Sequence, residues 1–151
     1  MESGMPQRFE LTGKCDLGSA WASNTINTAI FRGAGLLTTK TLQFGGYYDS
    51  NGRIVLFRRD LTSEDCTFSC LEAPSNLTDA HNVISLGVDH SGFIHLTYNH
   101  HGSKLNYRRS SKPLSIDCWD PPSSMTGLFE DSITYPYFLP MDSSQRSLLF
   151  F

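Results

Sequence analysis

The sequence has no apolar run near the roughly 20 residues that a membrane-crossing helix needs, and residues 1–10 lack the apolar core of a secretory signal. No membrane partner is expected, and the compartment stays open. Basic charge is also sparse, with 12 Lys and Arg against 15 Asp and Glu and a formal net charge of −3. The adjacent pairs Arg58-Arg59 and Arg108-Arg109 sit at strand ends and form no stripe, so a nucleic-acid partner is not expected either. The four cysteines, Cys15, Cys66, Cys70 and Cys118, are too few and scattered for a disulfide scaffold. Cys66-x-x-x-Cys70 lacks the second close pair of a zinc ribbon, which leaves buried free thiols as the first reading and a Cys66–Cys70 bridge or metal site as alternatives. With 39% hydrophobic and 18% charged residues, the composition excludes a disordered chain.

What the sequence does have is concentrated between Asp79 and Arg109, which holds all five histidines. Ile84, Leu86 and Val88 alternate with Val83, Ser85 and Gly87. Ile94, Leu96 and Tyr98 alternate with Phe93, His95 and Thr97, and Leu105 and Tyr107 with Asn106 and Arg108. This period of two predicts three strands in an antiparallel meander. Asp89-His90-Ser91-Gly92 and Asn99-His100-His101-Gly102 supply the connections. Each begins with a side chain that bonds forward to turn amides and ends on a Gly able to take positive φ.

The turn chemistry recurs. Tyr47 to Arg58 reads as a hairpin around Asp49-Ser50-Asn51-Gly52, 40 residues before Asp89-x-x-Gly92, and Asp142-Ser143-Ser144-Gln145 is a degenerate third copy. A repeat of 40–50 residues with several strands per unit predicts an all-β chain of β-propeller blades. Leu36 to Phe44 reads as a strand and Trp21 to Phe31 as strand rather than helix. Ser63 to Thr78 and Ser110 to Asp131 read as long connections that hold at most a short helical turn. The expected organisation is a loose lead-in over 1–16 and two to three blades over 17–151. A ring needs at least about four blades, so the chain reads as part of one, with an apolar last strand and open blade edges that invite self-association.

Asp79-x-His81-Asn82, the Asp89-x-x-Gly92 hairpin, His100-His101-Gly102-x-x-Leu105-x-Tyr107-Arg108 and Glu130-x-x-Ile133-Thr134-Tyr135-Pro136 together resemble the BNR-repeat family of seven-bladed propellers, the group similar to ulvan lyases. Trp21, Asn27-Thr28 and Tyr47-Tyr48-Asp49 fit the same resemblance. It implies an acidic polysaccharide or other glycan as partner, β-elimination without a cofactor, and a secreted protein. It also implies an active-site pair matching His81 and either His100 or His101. In that family the strand resembling Ser147 to Phe151 runs on into a Tyr-Arg and Gly-rich segment and further blades. A chain ending at Phe151 is therefore expected to be inactive by itself.

Cleaving a uronic-acid glycan by β-elimination needs the sugar carboxylate neutralised, a base for the acidified C5 proton and an acid for the departing oxygen. Histidine suits either proton-transfer role. If residues 82–88 pair with 93–98 around the Asp89 turn, His81 and the His100-His101 pair meet at the far end of the hairpin. His81 and His101 are accordingly the candidate catalytic residues, with Asn82, Tyr98, His100 and Arg108 as candidate substrate contacts. Plainer readings stand beside these: residues 79–82 as a capping turn, His100-His101-Gly102 as an exposed turn without a ligand, His90 and His95 as turn and strand-surface residues, and Tyr135, Tyr137 and Phe138 as core. A metal held by His81, His100 and His101 is not expected, because no carboxylate shows telling spacing near them. A sialidase would need an arginine cluster and a Tyr nucleophile that are not evident. A propeller that binds glycan or protein without chemistry is the remaining alternative.

Overall fold

The computed structural model describes residues 13–23, 35–63, 65–73, 75–140 and 148–150. Nine strands are described and no helix among these residues: β1 (Leu36–Thr38), β2 (Leu42–Tyr48), β3 (Ile54–Asp60), β4 (Cys66–Leu71), β5 (Ser85–Val88), β6 (Ile94–Thr97), β7 (Tyr107–Arg109), β8 (Phe138–Pro140) and β9 (Leu148–Phe150). They make antiparallel sheets in the simple meander orders β1-β2-β3-β4, β5-β6-β7 and β8-β9. The first is a four-stranded blade and the second follows the expected 79–109 meander. The described sheets do not close into a ring.

The two Asp-x-x-Gly turns are the same object. In each, the Asp amide donates to the carbonyl four residues on, Asp49 to Arg53 and Asp89 to Phe93, both at 3.0 Å, and the Gly amide returns to the Asp carbonyl. Oδ1 of Asp49 accepts from the amides of Asn51 and Arg53, and Oδ1 of Asp89 from those of Ser91 and Phe93, all at 2.9 Å. Gly52 and Gly92 have φ of 77° and 86°, a conformation open to glycine at little cost. The second oxygen then differs. Asp49 Oδ2 holds Arg53, whereas Asp89 Oδ2 meets His95 Nε2 at 3.2 Å.

Several expectations are corrected. The proposed strand from Leu36 to Phe44 is two strands, broken at Thr39, whose hydroxyl bonds both the carbonyl and the amide of Leu42. The supposed connection from Ser63 to Thr78 contains β4, an edge strand whose CTFSCL sequence is largely solvent-facing. An exposed strand carries polar residues, which hid it among loop residues. The cysteines are not all free thiols. Cys15 and Cys66 form a disulfide, while Cys70 is free and exposed and Cys118 free and half-buried. Cys15, assigned to the loose lead-in, is thereby tied to β4. Trp21 to Ser23 are not strand, although the Trp21 amide donates to the Tyr48 carbonyl. Residues 24–31, with Asn27-Thr28, and the degenerate turn at 142–145 lie outside the described residues.

The core sits between the first two sheets. Leu42, Phe44, Tyr48, Ile54 and Leu56 of the first pack with Ile84, Leu86, Ile94, Leu96 and Tyr98 of the second. The opposite face of the second sheet is covered as well: Leu105 and Tyr107 cluster with Phe138, Met125 and Ile133. β5 and β6 are thus buried on both sides, and His95, read as a strand-surface residue, is only 8% exposed with Nδ1 on the Tyr107 hydroxyl at 2.8 Å.

Within the first blade, Gly45 pairs with Phe57, and a Cβ at Gly45 would lie 2.2 Å from the Phe57 ring. The ring lies across the glycine in place of a side chain. Gly45→Ala should therefore displace a buried ring and cost about 1–3 kcal/mol in a urea titration; an unchanged midpoint would show that the ring does not depend on this site.

Candidate functional site

The β5-β6 register, Ser85 opposite Thr97, continues outward from the hairpin. Four residues further along each strand it sets residue 81 opposite residue 101. The side chains meet there. The His81 and His101 rings stack with centroids 3.9 Å apart and 22° between planes, and Tyr135 stacks on His81 at 5.6 Å and 28°. One carboxylate joins the pair: Asp79 Oδ1 lies 2.7 Å from His81 Nδ1 and Oδ2 lies 2.6 Å from His101 Nδ1. The His81 and His101 side chains are 40% and 51% exposed and Asp79 21%.

Local chemistry explains the placement. Asp79 Oδ1 also accepts from the His81 amide at 2.9 Å, and the Asn82 amide reaches the Asp79 carbonyl, so residues 79–82 close an Asx-type turn ahead of β5. On the other strand Asn99 takes φ of 59°, which turns the chain out of β6. Asn tolerates this conformation better than most residues. Buried polar groups hold it. Asn99 Oδ1 accepts from the amide of Asn76 and from Nδ2 of Asn82, the Asn99 amide donates to the Tyr48 hydroxyl, and Asn106 Nδ2 donates to the carbonyls of Tyr98 and Asn99. A third segment closes the site. Ser103 and Ile133 exchange backbone hydrogen bonds, and Gly102 donates to Thr134 Oγ1 at 2.6 Å, which brings Tyr135 alongside His81. The neighbouring loop is clamped by Glu130, whose Oε1 accepts from the amides of Met125, Thr126 and Gly127 and from the Thr126 hydroxyl.

The remaining candidate residues have other places. Asn82 is 7% exposed, Tyr98 7% and His100 1%. Tyr98 belongs to the core between the blades. His100 Nε2 accepts from the Asn106 amide at 2.8 Å, and Asn82 is bound to Asn76 and Asn99. These three candidate substrate contacts are buried side chains, and the Asn82 and His100 bonds shape the turn that presents His101. Arg108 is half-buried and pairs in register with Leu96, away from the histidine end. Arg109 lies over the Phe93 ring at 4.6 Å and reaches Asp120 at 3.4 Å. Sequence reasoning missed Asp79 as the carboxylate between the rings and gave Tyr135 to the core. The repeated use of Asp as a turn cap two residues before its amide partner was the available signal for the first.

Asp79, His81 and His101 bring one ligand atom each within 4.8 Å of one another, so a carboxylate does stand beside the two histidines, although its sequence spacing gave no metal signal. His100 is not part of that set. The N···O separations of 2.6 and 2.7 Å are hydrogen-bond lengths. Two ligands of one tetrahedral zinc stand about 3.3 Å apart, given metal bonds of roughly 2.0–2.1 Å, so the arrangement as it stands is hydrogen-bonded. Donation from the His81 amide and from the two imidazoles holds the Asp79 carboxyl down at about 2.

A family model described as BNR repeat-containing family member matches residues 42–151. The chain belongs to that family. Among solved structures it is similar to an ulvan lyase of polysaccharide lyase family PL25, with 15% identity, a TM-score of 0.61, and coverage of 76% of this chain and 30% of that one. The same kind of enzyme bound to -[GlcA(1-4)Rha3S]- matches with 14% identity, a TM-score of 0.59 and coverage of 72% and 29%. The polysaccharide lyase Uly1 matches with 14% identity, a TM-score of 0.59 and coverage of 79% and 39%. These likenesses establish the fold: the sheets are blades of a propeller. The chain spans 29–39% of the length of these structures. A search of curated proteins found no match.

The inward position of His100 has a consequence for acid stability. Burial lowers its pKa from 6.5 to about 4, and burial lowers that of His95 as well. Between about pH 4 and 6.5 the unfolded chain binds the His100 proton and the folded chain does not, so stability falls as pH is lowered through this window. His100→Gln, which keeps an acceptor for the Asn106 amide, should flatten that fall in melting temperature against pH; an identical slope in the variant would contradict the assignment.

Proposed function

We propose that this chain supplies the histidine-bearing blades of a polysaccharide lyase that cleaves uronic-acid glycans by β-elimination. The observation that carries the reading is the exposed His81–His101 stack on a common carboxylate, set on rigid strand ends in a propeller of this family. Two ionisable rings at one surface point provide what the reaction needs close together: a group to take the C5 proton and a group to donate to the leaving oxygen or to the sugar carboxylate. Tyr135 forms a wall beside them on which a sugar face can stack. The structural likeness to ulvan lyases, one of them solved with a glucuronic-acid-containing oligosaccharide, supports an acidic glycan as the substrate class.

The test uses a polypeptide that carries this chain within a closed ring of blades, offered uronic-acid polysaccharides, with unsaturated product followed by its absorbance. His81→Ala and His101→Ala should each lower the rate on the order of a hundredfold or more while leaving the fold intact. His90→Ala should change little, because His90 lies on the exposed Asp89 turn at the other end of the hairpin. Equal loss at His90 and His81, or none at His81, would refute the catalytic reading. Glycan binding with no product from any substrate would favour a binding propeller.

A further inference from the structure

We propose that Asp79 is a positioning residue that sets the tautomer of both site histidines, holding the proton of each ring on Nδ1 so that both Nε2 atoms face the ligand side unengaged. This deepens the function proposed above and rests on it only for its catalytic consequence.

The argument is one of donor and acceptor capacity. An ionised carboxylate accepts hydrogen bonds and donates none. Both Asp79 oxygens are taken up with ring nitrogens, Oδ1 with His81 Nδ1 at 2.7 Å and Oδ2 with His101 Nδ1 at 2.6 Å. Each Nδ1 must then be the donor. A neutral imidazole carries one N–H, so each Nε2 is left with a bare lone pair. No protein group is hydrogen-bonded to either Nε2 among the described residues. Both rings are therefore presented as bases through the same atom type, and a ring that has taken up a proton on Nε2 becomes the donor of the kind β-elimination uses. Proton transfer through Nε2 changes nothing at the Asp79 side.

The carboxylate is itself held. The His81 amide donates to Oδ1 at 2.9 Å, and that bond, with those from the two rings, keeps the acid ionised with a pKa of about 2. A buried carboxylate that orients an imidazole and stabilises its charged form is a known device for one histidine. Here a single carboxylate does it for two, which is possible because the rings stack at 3.9 Å and bring both Nδ1 atoms within reach of its two oxygens. An amide cannot replace it. Asparagine at position 79 keeps one acceptor oxygen, enough for the His81 amide and one ring, but its NH2 donates towards the other ring and requires that ring to carry its proton on Nε2.

Long-range 1H–15N correlation spectra of the imidazoles, recorded on this chain well above pH 6.5, read the tautomers directly. In the unmodified chain His81 and His101 should both carry the proton on Nδ1. In Asp79→Asn one of the two should switch to Nε2–H, with His90 and His95 unchanged. An Nε2–H ring at either position in the unmodified chain, or two Nδ1–H rings in Asp79→Asn, would overturn the proposal. Should Asp79→Asn not fold, the unmodified spectrum alone still decides. In a ring-closed lyase, Asp79→Asn should lower kcat about a hundredfold with KM within about twofold, and Asp79→Glu should recover part of it. A rise in KM together with a lowered melting temperature and no effect on kcat would show that Asp79 only folds its turn. An unmodified protein with the expected tautomers but no lyase activity would sink the lyase reading and leave the role of Asp79 standing.

Discussion

The rest of the structure depends on one packing constraint: the β5-β6-β7 sheet is covered on both faces. Ile84, Leu86, Ile94, Leu96 and Tyr98 bury one face against the first blade, and Tyr107, with Leu105, Phe138, Met125 and Ile133, covers the other. Burial of a whole side chain of this size contributes about 1.5–3 kcal/mol, so a sheet lined on both sides is held from two directions. Polar side chains caught inside then need partners. His95 finds Tyr107 on one nitrogen and Asp89 on the other, which turns a strand residue into a link between the hairpin turn and the third strand.

Rigid strands make rigid ends, and the histidine site is an end. The chain leaves β6 at Asn99 in a conformation that costs most residues free energy. It stays there because Tyr48, Asn76, Asn82 and Asn106 take up the polar groups around it. Residues that look like ligands for a sugar are thus used internally. Asn82 and His100 are turned in so that His81 and His101 can be turned out, and removing an inner partner would leave a buried amide or imidazole without its bond, a loss of about 1–3 kcal/mol.

This division explains what could be read in the sequence. The meander, both Asp-x-x-Gly hairpins and the meeting of His81 with His101 were legible, because they follow from period two, turn chemistry and register, all of them local. Burial of the second face was not. Alternation tells which side of a sheet a residue occupies and is silent on whether another layer covers that side. His95, read as a strand-surface residue, was misplaced for that reason. β4 escaped because an exposed edge strand has the composition of a loop, and the Cys15–Cys66 disulfide because it joins positions 51 apart. Tyr135 belongs to neither strand of the hairpin and reaches His81 only through the Ser103–Ile133 bridge.

The charges show how labour would be divided around a complete site. In the function proposed above, a uronate beside His81 and His101 would need positive charge near its carboxylate, yet the arginines that close β7 lie towards the Asp89 turn. Arg109 stands opposite His95 and is held by Phe93 and Asp120, and Arg108 stands opposite Leu96. Moving either to the histidine end would cross several residues of a paired strand at about 3.3 Å each, against packing on both faces. Neutralisation at that end is therefore not a task for Arg108 or Arg109. Both rings reach the one Asp79 carboxylate through Nδ1 and stack at 3.9 Å, so the pair is brought to a single surface point. In the function proposed above, such a pair would meet a carboxylate with one ring and take up a proton with the other.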